Sequence, residues 1–152
     1  PVETVSTMSE IVQEAELHIH YDKRFRNTDF KIKNKLDAIS HATCGMAIDI
    51  AAKAIVVTSM SGMTVRMVSR FRPPIDIIGM ATNKEVWYKL ALSWGVTPVL
   101  SEQFNSTDVL FYHALSAAKK KFELKTGDSI VITGGITNGK SGNTNLIKIE
   151  TI

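Results

Sequence analysis

The 152-residue chain carries a single cysteine, Cys44, so no disulfide can form within it. That usage fits a reducing cytosol better than an oxidising compartment. Nine glycines and four prolines are too few for a collagen-like or low-complexity disordered chain. Long apolar runs are missing too: residues 51–57, among the longest, are broken by Lys53 and fall far short of a bilayer's thickness. The opening residues lack the basic and apolar pattern of a secretory leader. Aromatic residues reach only 7% and the net charge only +3, despite an isoelectric point near 9.1. A nucleic-acid partner asks for a concentrated basic face with aromatics to stack on, so neither nucleic acid nor membrane is expected as a partner.

What is present is the make-up of an ordinary globular domain. Hydrophobic residues are 44%, charged residues 22%, and the mean hydropathy is +0.02. The length suits one domain with a real core and a short appendage. The chain opens at Pro1 rather than Met, and Pro1-Val2-Glu3-Thr4 reads as mid-chain sequence. A fragment of a longer protein is therefore expected.

Val5, Met8, Val12, Ala15 and Ile19 recur at helical spacing, and Thr7-Met8-Ser9-Glu10 fits a capping box, which predicts a first helix over residues 4–19. Residues 22–35 are basic, with Lys23, Arg24, Arg26, Lys31, Lys33 and Lys35 and few large apolar side chains; they read as an irregular linker. A long helix follows, with Leu36, Ile39, Thr43, Ala47, Ile50 and Ala54 on its apolar face.

Beyond it, short β-branched runs alternate with helical patterns. Strands are expected at 54–57, 75–79, 96–100, 129–133 and 145–150. Helices are expected from Thr64 to Phe71, where Pro73-Pro74 ends the pattern, from Asn83 through Ala91, and after Asn105-Ser106-Thr107-Asp108, with Phe111, Leu115, Ala118 and Phe122 on one face. Strands alternating with helices predict a mostly parallel sheet covered on both faces. The last connection is too short and polar for a crossover helix, so the final strands should pair antiparallel at an edge. The expected fold is α/β: a three-layer α/β/α sandwich around a mostly parallel five-stranded sheet with an antiparallel edge strand.

Two segments stand out for chemistry. Gly134-Gly135-Ile136-Thr137-Asn138-Gly139-Lys140-Ser141 satisfies the phosphate-loop pattern G-x-x-x-x-G-K-[ST] and follows a strand. The pattern works only when a helix begins at the Lys-Ser pair, so that amides and dipole face the phosphates. Here Gly142-Asn143-Thr144-Asn145 follow, poor helix formers, and a glycine-rich hairpin loop is the simpler reading. Thr58-Ser59-Met60-Ser61-Gly62-Met63-Thr64 places four hydroxyls between a strand end and a helix start. Ligands of open α/β sheets settle at that edge, and helix-start amides attract anions. Ordinary capping by Ser59 or Ser61 is the competing reading.

The remaining candidates are weaker. His41 and Cys44 share a helix face, but two ligands do not make a zinc site, and packing is the simpler role. His18 and His20 point to opposite sides of a helix end. Lys119-Lys120-Lys121 reads as a solvated helix terminus suited to the dipole. Trp87 and Trp94 read as core or interface residues.

Several phrases, in order, give the chain a family resemblance. Pro1-Val2-Glu3-Thr4-Val5-Ser6-Thr7-Met8, Ala38-Ile39-Ser40, Ala52-Lys53-Ala54-Ile55-Val56-Val57, Ser61-Gly62-Met63-Thr64, Ser69-Arg70-Phe71-Arg72-Pro73-Pro74, Gly95-Val96-Thr97-Pro98, Gly127-Asp128 and Gly142-Asn143-Thr144-Asn145 resemble the C-terminal domain of the pyruvate kinases, of the bacterial type. The resemblance implies that residues 1–20 are the tail of a catalytic barrel, residues 21–34 a linker, and residues 35–152 the α/β domain that binds allosteric effectors and builds homotetramers. It implies a cytoplasmic, glycolytic parent enzyme that transfers a phosphoryl group from phosphoenolpyruvate to ADP with magnesium and potassium. The catalytic and metal-binding residues of that family match no position here, so the isolated chain is expected to be non-catalytic and to hold no cofactor.

The family's effector-phosphate loop corresponds to Ser59, Met60, Ser61, Gly62, Met63 and Thr64. Its effector-closing loop corresponds to Gly135, Lys140, Ser141 and Gly142. Some relatives carry a basic residue where this chain has Met60 or Met63, and residues 101–108 lack the tryptophan and arginine that grip a second phosphate. A sugar monophosphate or AMP is therefore expected ahead of fructose 1,6-bisphosphate. A free-standing ligand-binding or interaction module, and a phosphate-loop phosphotransferase, are the alternatives.

Overall fold

The computed structural model describes residues 1–135 and 143–152. Its elements run α1 (Val2–Glu16), α2 (Tyr21–Asn27), α3 (Lys35–Asp49), β1 (Ala54–Thr58), α4 (Met63–Arg70), β2 (Ile77–Ala81), α5 (Lys84–Leu90), β3 (Val96–Leu100), α6 (Thr107–Lys121), β4 (Ser129–Gly135) and β5 (Thr144–Thr151). The sheet has the order β3-β2-β1-β4-β5. All neighbours are parallel except β4 and β5, which pair antiparallel at one edge. This is the expected three-layer sandwich.

Period-two burial explains the layers. Ile55 and Val57 of β1 pack with Val65, Val68, Leu90 and Cys44 on the face covered by α3, α4 and α5. Ala54 and Val56 turn to the other face, against Leu110, Ala114 and Ala118 of α6. Both faces of β1 and β2 are buried, which accounts for their unbroken apolar composition. Helix starts are fixed locally: Asn34 accepts from Asp37 N–H and Asn83 from Val86 N–H, both at 2.9 Å.

Three local expectations are corrected. The stretch read as an irregular linker contains α2, and Phe25 from this helix is buried in the core, stacked on His41 at 4.8 Å. The long helix ends at Asp49, shortly before Ala51 takes a left-handed φ of 50°; of the expected face Thr43 and Ala47 are buried, but Asp37, Ser40 and Cys44 join them while Leu36 and Ile39 stay half-buried and Ile50 is exposed. A surface this small lets α4 approach closely enough for the Cys44 thiol to donate to Val68 O at 3.7 Å. Finally, β2 starts at Ile77, two residues later than expected, in register with Val96.

Candidate functional site

Strand order reverses between β1 and β4, since the chain builds β2 and β3 on one side of β1 and places β4 on the other. These strands are parallel, so their carboxyl ends share one rim, and a ligand crevice belongs at such a reversal. Residues 59–64 leave that rim from β1. The end of β4 at Gly135 and the start of β5 at Thr144 lie at the same rim.

Ser59 N–H donates to Met80 O at 3.2 Å, which holds the first turn of the loop to β2. Gly62 caps α4 with φ of +73°, a conformation that L side chains rarely adopt. A Cβ there would also come within 2.8 Å of Val86 Cγ1 in α5. Glycine thus lets the loop close down on α5, and it leaves the helix start with no side chain of its own to satisfy the first amides. No side-chain capping bond is made there among the described residues. Capping by Ser59 or Ser61, open in the sequence, is not what these hydroxyls do.

Ser61 is exposed, Ser59 half-buried, and Met60 and Met63 partly exposed around the helix start. Arg66, one turn in, points Nη2 at Met63 Sδ at 3.8 Å and adds a full positive charge near the positive end of the helix dipole. Thr64 faces the other way. It is buried, and its Oγ1 lies 2.6 Å from Oγ1 of Thr144, the first residue of β5. Across the rim, a Cβ on Gly134 would collide with Thr58 Oγ1 and lie 3.1 Å from the Thr58 carbonyl oxygen, so glycine sets how closely the β4 end approaches β1.

The structure therefore brings Ser59, Met60, Ser61, Gly62, Met63 and Thr64 to one corner, with Gly135 at the end of β4 next to it. Lys140, Ser141 and Gly142 lie outside the described residues. Thr58, Gly134 and Thr144 belong to the same corner; all three lie in segments the sequence brought forward, but their contacts with one another and with Thr64 were not anticipated. Thr144 carries no local signal, because its partner lies 80 residues away. The arrangement offers amides, hydroxyls and a nearby guanidinium, the equipment for holding an anion. The loop itself contains no titratable side chain that could carry a proton.

The phosphate-loop alternative is overturned by β5: Thr144–Thr151 is a strand where that motif needs a helix. His41 and Cys44 are packing residues. The His41 ring lies among Phe25, Phe30 and Phe71, and burial pushes the Cys44 thiol up to about 12. Among the described residues no group of three or more His, Cys, Asp or Glu side chains is placed to hold a metal ion. Trp87 donates Nε1 to Pro98 O, and Trp94 donates Nε1 to Glu16 Oε1 of α1. No helix among the described residues is long and apolar enough to cross a membrane.

Comparison with known proteins agrees with this architecture. Residues 37–150 match the family described as pyruvate kinase, alpha/beta domain. The chain is 40% identical to the pyruvate kinase of Clostridium acetobutylicum over 154 residues, which covers all of this chain and 32% of that protein. It is 35% identical to the pyruvate kinase of Staphylococcus saprophyticus over 153 residues and 32% identical to that of Lactobacillus delbrueckii over 155, in each case all of this chain and 26% of the relative. The chain thus spans between a quarter and a third of the length of these relatives.

Proposed function

The chain belongs to the pyruvate kinase alpha/beta domain family, and from that premise we propose that it is a regulatory and oligomerising C-terminal domain that binds a phosphorylated small molecule at residues 59–64. The single observation that carries the reading is the uncapped, glycine-led start of α4, set beside Ser59 and Ser61 where the strand order reverses. Helix-start amides and hydroxyls bind a phosphate without a formal counter-charge. The loop has no lysine or arginine within residues 59–64, which favours one phosphate over two and hence a sugar monophosphate or AMP. Lys140, Ser141 and Gly142 would close over it with Gly135.

The parent enzyme in this reading transfers phosphoryl from phosphoenolpyruvate to ADP in the glycolysis of the cytoplasm. In this reading magnesium, potassium and nucleotide belong to the barrel of the longer polypeptide, and this domain contributes no step of the chemistry. Residues 1–20 go with that barrel: α1 buries none of its residues and exposes Val5, Met8 and Val12. Residues 21–34 go with the α/β domain on the strength of Phe25. The position of β5 at the edge of the sheet, with Ile149 on it exposed, supports self-association toward a homotetramer.

Calorimetry of the 152-residue chain with glucose 6-phosphate, ribose 5-phosphate, AMP and fructose 1,6-bisphosphate tests the proposal. Binding of at least one, weakened about tenfold or more in Ser59→Ala/Ser61→Ala (roughly 1.4 kcal/mol), is the expected result. No binding of any of them leaves a bare interaction module.

A further inference from the structure

The short helix α4 is fastened at both ends, and the far end leads out of the domain. At its first turn Thr64 is bonded to Thr144. At its last turn three ties converge. Cys44 Sγ–H donates to Val68 O at 3.7 Å, Ser69 Oγ–H donates to Trp94 O at 2.6 Å, and Arg70 lies 3.7 Å from the buried Asp37 carboxylate at the start of α3. Trp94 then reaches away from the sheet. Its Nε1 donates to Glu16 Oε1 at 3.1 Å, Tyr21 packs on its ring at 5.0 Å and also donates to Glu16, and Arg72 stacks over it at 5.8 Å. Arg72 holds this position in a left-handed conformation, φ 47°, which a non-glycine residue adopts only when its surroundings impose it.

Glu16 is the last residue of α1, the helix that buries none of its own residues. Among the described residues, Trp94 is therefore a bridge with one hydrogen bond to α4 and one to α1. A rigid helix of eight residues translates as a unit, so a shift imposed at Gly62–Thr64 arrives at Ser69 and hence at Trp94.

We propose that Ser69, Trp94 and Glu16 form a coupling route that ties the order of the 59–64 loop to the docking of α1. The proposal rests on the reading of residues 59–64 as an effector site and adds how its occupancy is felt outside the domain. Ser69 and Trp94 are positioning residues: neither touches the loop. Because coupling is reciprocal, loosening the α1 end must loosen the loop, and no ligand is needed to see it.

Amide hydrogen exchange of the 152-residue chain provides the test, read at the bonded amides of Ser59 and Arg66, with Val131 and Ile132 in β4 as the measure of global opening. Trp94→Phe removes the donor to Glu16 while keeping a ring, and Ser69→Ala removes the other bond. Each should speed exchange at Ser59 and Arg66 about threefold or more and leave β4 unchanged, since local opening responds to local ties. Glu16→Gln, which keeps an acceptor oxygen for the indole, should exchange like the parent. Unaltered exchange at Ser59 and Arg66 in both breaking variants overturns the route, and so does acceleration shared equally by β4. Either result leaves ligand binding at residues 59–64 to be judged separately by calorimetry.

Discussion

The hydroxyls of Thr64 and Thr144 lie 2.6 Å apart and join the first turn of α4 to the first residue of β5. Through this bond the helix start that would receive a phosphate is attached to the edge strand β5. Two segments far apart in sequence thus share one half-buried polar contact at the rim of the sheet.

Removing one partner strands the other. Thr64→Val and Thr144→Val should each cost about 1–2 kcal/mol in urea unfolding, because a hydroxyl largely hidden from water loses its partner. The double variant should cost less than the two together, with a coupling of about 1 kcal/mol. Additive losses would show that the two hydroxyls do not act as a pair.

Gly134→Ala places a methyl group on Thr58 Oγ1 and against the Thr58 carbonyl. The Thr58 backbone is held in the parallel pairing with β2, so its carbonyl cannot step aside cheaply. The variant should lose about 2–3 kcal/mol, a fall in Tm of several degrees. By contrast Gly127→Ala, with nothing within 4 Å of the added carbon, should lose only the strain of its φ of +94°, about 1 kcal/mol.

Cys44 sets a test in pH. Burial pushes its thiol from 9.0 to about 12, so the folded protein keeps the proton while the unfolded chain gives it up. The contribution is complete below about pH 9 and declines as the pH rises toward 12, by about 1.4 kcal/mol per unit. Cys44→Ala should lack this decline. In the native protein the thiol should resist a thiol reagent at pH 8 and react only when the chain unfolds, since thiolate is the reactive form.

How much of this was legible beforehand follows from where each signal resides. Strand β3 was readable to the residue, because Gly95 and the β-branched run bounded by Leu100 are local. The start of α5 was readable for the same reason, through the Asn83 cap. Helix α2 was not: it has seven residues, His20 makes no capping bond, and Phe25 is its only buried side chain. The inward face of α3 was read in part: Thr43 and Ala47 are buried as their spacing indicates, whereas close packing against α4 selects Ser40 and Cys44 over Leu36 and Ile39. At the site, the run of hydroxyls and Gly62 stood out in the sequence. The turning of Thr64 away from the loop toward Thr144 did not, since only the completed sheet brings those residues together.

The central claim is that the start of α4 receives a phosphate, and an amide-resolved NMR titration of the 152-residue chain with glucose 6-phosphate and AMP tests it most directly. The account predicts saturable shifts that are largest at Ser61, Gly62, Met63 and Thr64, and absent from the far ends of the strands at Ala54 and Ile77. Titration of both compounds without movement at those four amides, or with the largest shifts at the lysines closing α6, would contradict it.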